Sequence, residues 1–399
     1  MKMLEIYNNL LFYFKIHNHE GLDPSSITNS TKFLTLTYSK YYLIARLKTS
    51  FYSRLFNFLG HRVLFIFEPI ENLSFTKGIC LYLMAKLNMD DFNTDDFNLL
   101  NELDKKRIQG TSLFAHDVEY CIRSKTITKS TPNVVTTYFV ADLYFQLYMK
   151  YKNSEYQIYF KDVVENLVAT IPYFEKSATE ICFQYTTVSK YHVHNANLFF
   201  AELLVKYIYM YKNNENTTKY KKLIIRSLNY SLNDFKKTST YFYAGEETRN
   251  TQIDNYHTGY VLRSMEQIKK YGSDYINIQN LDVEIGKLLS FYLNNFIING
   301  KYIYKYKLKT VEAHSLAESI LIFSIFRDRI PEKTLHDYLN KIYKSINLLY
   351  HGGKFINKAT TFLGIPIIKD KLDYIRWSQA WMFYSIACFV TQGMNRDIE

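Results

Sequence analysis

The chain has 399 residues, 47% of them hydrophobic and 17% aromatic, enough apolar surface for one large core or two to three smaller ones. With 37 Tyr and 29 Phe against 13 Gly and 6 Pro, turn-formers are scarce, which favours long helices on short loops over many short strands. Lys and Arg number 49 against 38 Asp and Glu. This net +11 points to an anionic partner, but the scatter of Lys221, Lys222, Lys269, Lys270, Lys369 and Lys371 argues against the contiguous basic arm of a nucleic-acid binder.

Met1 to Phe14 mixes apolar residues with Glu5, Asn8 and Asn9 and has no small-residue cleavage site, so it reads as a helix rather than a signal peptide. A turn-rich loop follows at His19 to Ser26, then an aromatic, basic helical stretch from Lys32 to about Leu59. Residues 1–69 are therefore expected to form a helical lead-in packed on the remainder of the chain. From residue 70 to 399 the chain becomes periodic. Polar or aromatic heads begin at Lys77, Pro132, Val193, Asp254, His314 and Tyr374, spaced 55, 61, 61, 60 and 60 residues apart, and each leads into an apolar helix. Second helices are expected near Tyr156 to Thr170, Thr218 to Leu232, Leu281 to Ile298 and Glu332 to Leu349. A repeat of about 60 residues is one helical hairpin, so six of them predict an all-α fold, an (α/α)6 toroid with parallel inner helices.

No stretch reaches the length of a membrane span, and the nearest, Trp377 to Val390, carries Gln379 and Ser385. Cys80, Cys121, Cys182 and Cys388 lie far apart with no CxxC pair, which fits free thiols in a reducing compartment. A cytoplasmic protein is expected, peripheral at most to a membrane assembly.

Parallel inner helices would bring His194, Asn195, Asp254, His257, His314, Arg376 and Trp377 to one mouth, where helix N-termini add positive potential. In Ile253 to Tyr260, His257 is a candidate general base or a capping histidine, Tyr256 and Tyr260 are candidate acids, and Asp254 is a candidate acid with an N-cap role favoured. His314 and Glu318, one turn apart, suit either proton transfer or an ordinary intrahelical contact. Arg376 is a candidate clamp for a uronate carboxylate, Trp377 for stacking on a sugar ring, and Trp381 for the core. Asn195 and His194 are further substrate-binding candidates, and Asp117 with Glu119 forms a weakly signalled carboxylate pair. His192 and His194 could hold zinc with His314 or His116, but no cysteine or carboxylate stands at ligand spacing, so neither metal nor cofactor is expected. His351-Gly352-Gly353 reads as a helix end and loop, and no Walker loop, GxGxxG or nucleophile elbow occurs.

Six motifs, Glu20-Gly-Leu-Asp-Pro, Pro132-Asn-Val-Val-Thr-Thr, Val193-His-Asn-Ala-Asn-Leu, Ile253-Asp-Asn-Tyr-His-Thr-Gly-Tyr, Ala313-His-Ser-Leu-Ala-Glu and Tyr374-Ile-Arg-Trp-Ser-Gln-Ala-Trp, span nearly the whole chain. In this order the chain resembles bacterial polysaccharide-biosynthesis proteins of the VpsJ type. That resemblance implies an α/α toroid related to polysaccharide lyases, glycosidases and uronyl C5-epimerases, encoded with capsule or exopolysaccharide genes. The loop Thr111 to Glu119 departs from it by lacking tryptophans while keeping Asp117, and Glu318 stands where a glutamine is expected. The resulting expectation is an enzyme acting on an acidic polysaccharide or a lipid-linked oligosaccharide, as a uronyl C5-epimerase or lyase, with capsule-assembly proteins as partners. Two alternatives stand beside it: a glycoside hydrolase pairing Asp117 with Asp254 or Glu318, and a non-catalytic glycan-binding component.

Overall fold

The computed structural model describes residues 3–24 and 71–392, apart from 123–124, 190, 213, 239, 249, 277–279 and 307–308, and adds scattered positions between 39 and 52. But for those positions, the helical stretch expected from Lys32 to Leu59 lies outside the described residues, as does the boundary expected at 69/70.

In chain order the helices are α1 (Met3–Ile16), α2 (Thr76–Asn88), α3 (Thr94–Asp104), α4 (Val134–Tyr151), α5 (Ser154–Thr170) and α6 (His194–Met210). They continue with α7 (Thr217–Thr238), α8 (Asn255–Gly272), α9 (Leu281–Tyr292), α10 (Ala313–Phe326), α11 (Glu332–Leu349) and α12 (Trp381–Thr391), the last entered through a π-helical turn at Ile375–Ala380. The even-numbered helices, with that turn counted into α12, start within two residues of the six expected heads. Each packs on the next, and α12 returns to α2, so they form a closed inner ring. Outside it, α3, α5, α7, α9 and α11 each lie on the inner helix that precedes them in the chain. This is the expected all-α (α/α)6 toroid.

The two layers differ as their burial demands. Inner α10 is buried on all sides from Ala313 to Ser324, whereas outer α11 buries mainly the stripe of Tyr338, Ile342, Ile346 and Leu349. The sixth outer position is filled from the other end of the sequence: α1 packs on α12. Tyr7 stacks on Phe383 at 4.6 Å between ring centroids, Phe14 meets the same ring at 5.5 Å, and Met3, Ile6 and Leu10 are fully buried. The α1 helix is therefore a member of the barrel wall. The first outer helix, α3, adds to the expected second helices, and its capping box of Asn93 and Asp96 is written in the sequence.

Connections leaving the inner helices are short, and those entering them are long and carry short antiparallel pairs such as Tyr173–Ser177 with Glu180–Phe183. The largest sheet has three strands, β1 (Thr310–Glu312), β2 (Lys358–Phe362) and β3 (Ile365–Asp370), with β2 in the middle. The irregular, loop-rich end of the barrel is thus the end at which the inner helices begin.

Between α8 and α10 the approach is close: a Cβ on Gly259 would run into Cγ of Glu318 and lie 2.7 Å from its Oε1. Gly259→Ala is expected to destabilise the protein by about 1–3 kcal/mol, despite the better helix propensity of alanine, because the added methyl overpacks this seam. For α1, Leu10→Ala is expected to cost about 2–5 kcal/mol in urea unfolding. A cost under about 0.5 kcal/mol, typical of a surface site, would show that α1 is an appendage and not a wall helix.

Candidate active site

Where the inner helices begin, a cavity of about 500 Å³ opens, and all six repeats contribute to it: Lys77, Thr136, Asn195, His257, His314 and Arg376 are among its lining residues. Tyr256, Tyr260, Trp377 and Asp117 line it as well, joined by His116, Tyr120, Tyr185 and Tyr243 from the entering loops.

His257 stands on the first turn of α8, and Asp254 caps that helix by accepting from the His257 backbone N–H at 2.9 Å. The other carboxylate oxygen of Asp254 lies 2.7 Å from His257 Nδ1. Burial opposes ionisation of Asp254, but His257 and its hydrogen bonds outweigh it and hold the carboxyl down at about 2. Engaging Nδ1 leaves Nε2 as the ring atom available for proton transfer.

His314, at the head of α10, is fully buried and sandwiched between Tyr256 and Trp381, with ring centroids 4.5 and 4.7 Å away. Its Nε2 shares a hydrogen bond of 2.5 Å with the Tyr260 hydroxyl, and its Nδ1 has no partner among the described residues. Burial, then the charges of Lys77 and Arg376, push the imidazole well below its usual range, so His314 is neutral at pH 7. Burial and the nearby Glu318 push the Tyr260 phenol up, so it keeps its proton. The Tyr256 ring lies within 4.5 Å of both His257 and His314, between the two imidazoles.

Lys77, on the first turn of α2, is the main site residue that the sequence reading did not single out. Its ammonium sits 4.4 Å from the Phe139 ring, 4.8 Å from Trp381 and 5.4 Å from Tyr260. Burial, reinforced by Arg376, pushes its amine well below the ordinary lysine range. Arg376 is also buried, and its guanidinium donates to Asp23 at 2.6 Å. Asp23 belongs to the Glu20-Gly-Leu-Asp-Pro segment, which also binds the π-helical turn through Leu22 O and Ile375 N–H at 2.9 Å. Trp377 meets His314 edge-on at 4.3 Å and donates its indole N–H to Glu312 at 3.4 Å, and Glu312 is paired in turn with Lys305.

Three expected site residues do other work. His194 points away from the mouth, with its two ring nitrogens 3.1 Å from Ser231 Oγ and 3.0 Å from Asp234 Oδ2 on α7. The next residue, Asn195, faces the cavity, since successive helical positions are about 100° apart. Asp117 borders the cavity, but its carboxylate accepts from the Thr76 backbone N–H at 3.0 Å and hydroxyl at 2.6 Å and thereby caps α2 from a loop. Glu318 lies inside the barrel, held by Arg263 Nε and Nη2 at 2.7 and 3.1 Å, and makes no proton relay with His314. Asp254 is not among the lining residues and reaches the cavity only through its hydrogen bond to His257. Among the described residues no cluster of His, Cys, Asp or Glu is arranged to hold a metal ion.

A closed ring of six helical hairpins with a polar, aromatic cavity at the inner-helix N-termini defines the class, an (α/α)6 toroid. The solved structures that it resembles include carbohydrate enzymes. Cellobiose 2-epimerase from Bacillus thermoamylovorans superposes with a TM-score of 0.58 at 10% identity, covering 80% of this chain and 88% of that one. A sugar epimerase from a ruminal bacterium gives 0.57 at 12% identity, covering 81% and 87%, and the GH76 α-mannanase BT2949 of Bacteroides thetaiotaomicron gives 0.56 at 12%, covering 81% and 88%. At these identities the likeness is one of fold. No family model and no curated protein matches the sequence.

The depressed Asp254 has a measurable consequence. Because its carboxyl sits at about 2 when folded and near 3.8 otherwise, its stabilising contribution is complete above about pH 4 and is lost as pH falls toward 2. Asp254→Asn is expected to lower stability by about 2 kcal/mol at pH 6, and the gap to the parent protein should narrow on acidification to pH 3, read from urea midpoints. A gap that stayed constant over that range would mean that Asp254 is not ionised against His257.

Proposed function

We propose that this chain is a glycan-modifying enzyme that acts on an acidic polysaccharide or its lipid-linked precursor by removing the proton next to a sugar carboxylate, as a uronyl C5-epimerase or lyase does. One observation carries this reading. The cavity presents three imidazoles, His116, His257 and His314, beside the basic Lys77 and Arg376, and the one carboxylate among its described lining residues, Asp117, is committed to a helix cap. In the proposed reaction, Arg376, Lys77 and Asn195 offset the charge that develops on the substrate carboxylate when C5 loses its proton. His257 takes that proton on Nε2 while Asp254 holds the Nδ1–H tautomer. Tyr260, coupled to His314, returns a proton to the opposite face in an epimerase, or to the leaving oxygen in a lyase.

Two of the likenesses are named sugar epimerases, and this supports the proton-transfer reading at the level of fold. The resemblance to VpsJ-type proteins supports a place in capsule or exopolysaccharide synthesis, with assembly proteins as partners. A hydrolase using Asp117 with Asp254 or Glu318 is disfavoured, because each of these carboxylates is already committed to a helix cap, an imidazole or an arginine.

Incubation with polyuronates in deuterated water, followed by NMR, is expected to show deuterium at C5 or an unsaturated product. New reducing ends without either would establish hydrolysis, and an unmodified glycan that still binds would establish a binding protein. His257→Ala is expected to lower kcat by about 10²- to 10⁴-fold, the usual share of a general base. Trp377→Ala should chiefly raise KM.

A further inference from the structure

The hairpin of β2 and β3 carries an apolar tip that the barrel does not use. Phe362, Leu363, Ile365 and Ile367 are 64, 86, 65 and 60% exposed, and Leu363 is the most exposed large hydrophobic residue described. The turn places Leu363 at φ 49° and Gly364 at φ 76°, a left-handed pair for which Asn-Gly or Asp-Gly is the ordinary choice. A leucine there strains the backbone and gains no packing in return. Residues 361–368 include no charged side chain.

Around this tip the charge is basic. Lys369 and Lys371 are exposed at the base of β3. Lys309 is exposed beside β2, where its carbonyl accepts from the Thr361 N–H, and the side chain of exposed Lys301 lies against Gly364. None of these four makes an ion pair among the described residues. The nearby acids are engaged elsewhere, Asp370 with Asn357, Asp373 with Lys354 and Glu312 with Lys305.

An apolar point inside a collar of lysines matches the profile of an anionic bilayer, whose acyl boundary takes the point and whose headgroups take the collar. A second copy of the chain fits less well. The edge strand β3 carries Pro366, which cannot donate to a ladder, and its pairing with β2 shifts register between Thr360 and Thr361. No described helix is long and apolar enough to cross a membrane, so the contact is peripheral. We propose that the β2–β3 hairpin docks this protein on anionic lipid bilayers. The hairpin is rooted at the cavity mouth, because β2 pairs with β1, which runs directly into α10. Docking therefore brings the cavity to the bilayer surface.

Flotation with phosphatidylcholine vesicles, with and without phosphatidylglycerol, tests this without reference to any reaction. Binding is expected to be at least about tenfold tighter with phosphatidylglycerol and to weaken as salt is raised. The double variant Phe362→Ser, Leu363→Asn should lose at least about tenfold in affinity, and because asparagine suits the left-handed position its thermal midpoint should not fall. Lys369→Ala with Lys371→Ala should reduce the preference for phosphatidylglycerol. Absence of binding to either vesicle, or equal binding by the tip variant, would overturn the proposal. So would lipid-free self-association in sedimentation velocity that the tip variant abolishes.

Discussion

Everything at the mouth depends on ring closure, in which α12, already packed on α10, meets α2 on its other side and α1 on the outside. Each inner helix packs on its neighbours along the ring, and closure turns six helix heads into one walled cavity. The buried Phe383, shared by Tyr7, Phe14 and Tyr82, is the hinge pin of that closure. The ion pair of Arg376 with Asp23, 353 positions away in sequence, repeats the same long-range tie in polar form at the cavity floor.

The electrostatics of the cavity follow from how its charges are committed. Asp254, Asp117, Asp23 and Glu312 each answer a specific donor, so the carboxylates serve as fixed braces. Lys77 is surrounded by rings instead of by an acid, and the helix N-termini around it are themselves electropositive. A site of this kind is poorly disposed toward cations and holds the neutral His314 imidazole in a positive field.

Much of this was readable in the sequence because inner helices impose two signals at once, a hairpin-length repeat and a polar head before each apolar run. The heads at His257, His314, Asn195 and Trp377 do line one cavity. His194 misled because its neighbour carries the inward direction, and a repeat of about 60 residues fixes where a helix begins without fixing its rotation to within one residue. Asp117 and Glu318 are open to a catalytic role in a linear reading, since only tertiary contacts reveal that one caps a distant helix and the other holds an arginine. Lys77 stands in a Lys-Gly pair that resembles any helix start, and Asp23 gains meaning only when the chain closes on itself. The outer position of α1 was hidden for the same reason.

That closure also sets an order of events during folding. In a chain made from its N-terminus, α1 emerges with Met3, Ile6, Leu10 and Phe14 uncovered, and the surface that covers them is not made until α12 is synthesised hundreds of residues later. Contacts of such sequence separation form slowly and late. Until then the nascent barrel is an open arc with two uncovered apolar edges, so its exposure to aggregation lasts until α12 is made.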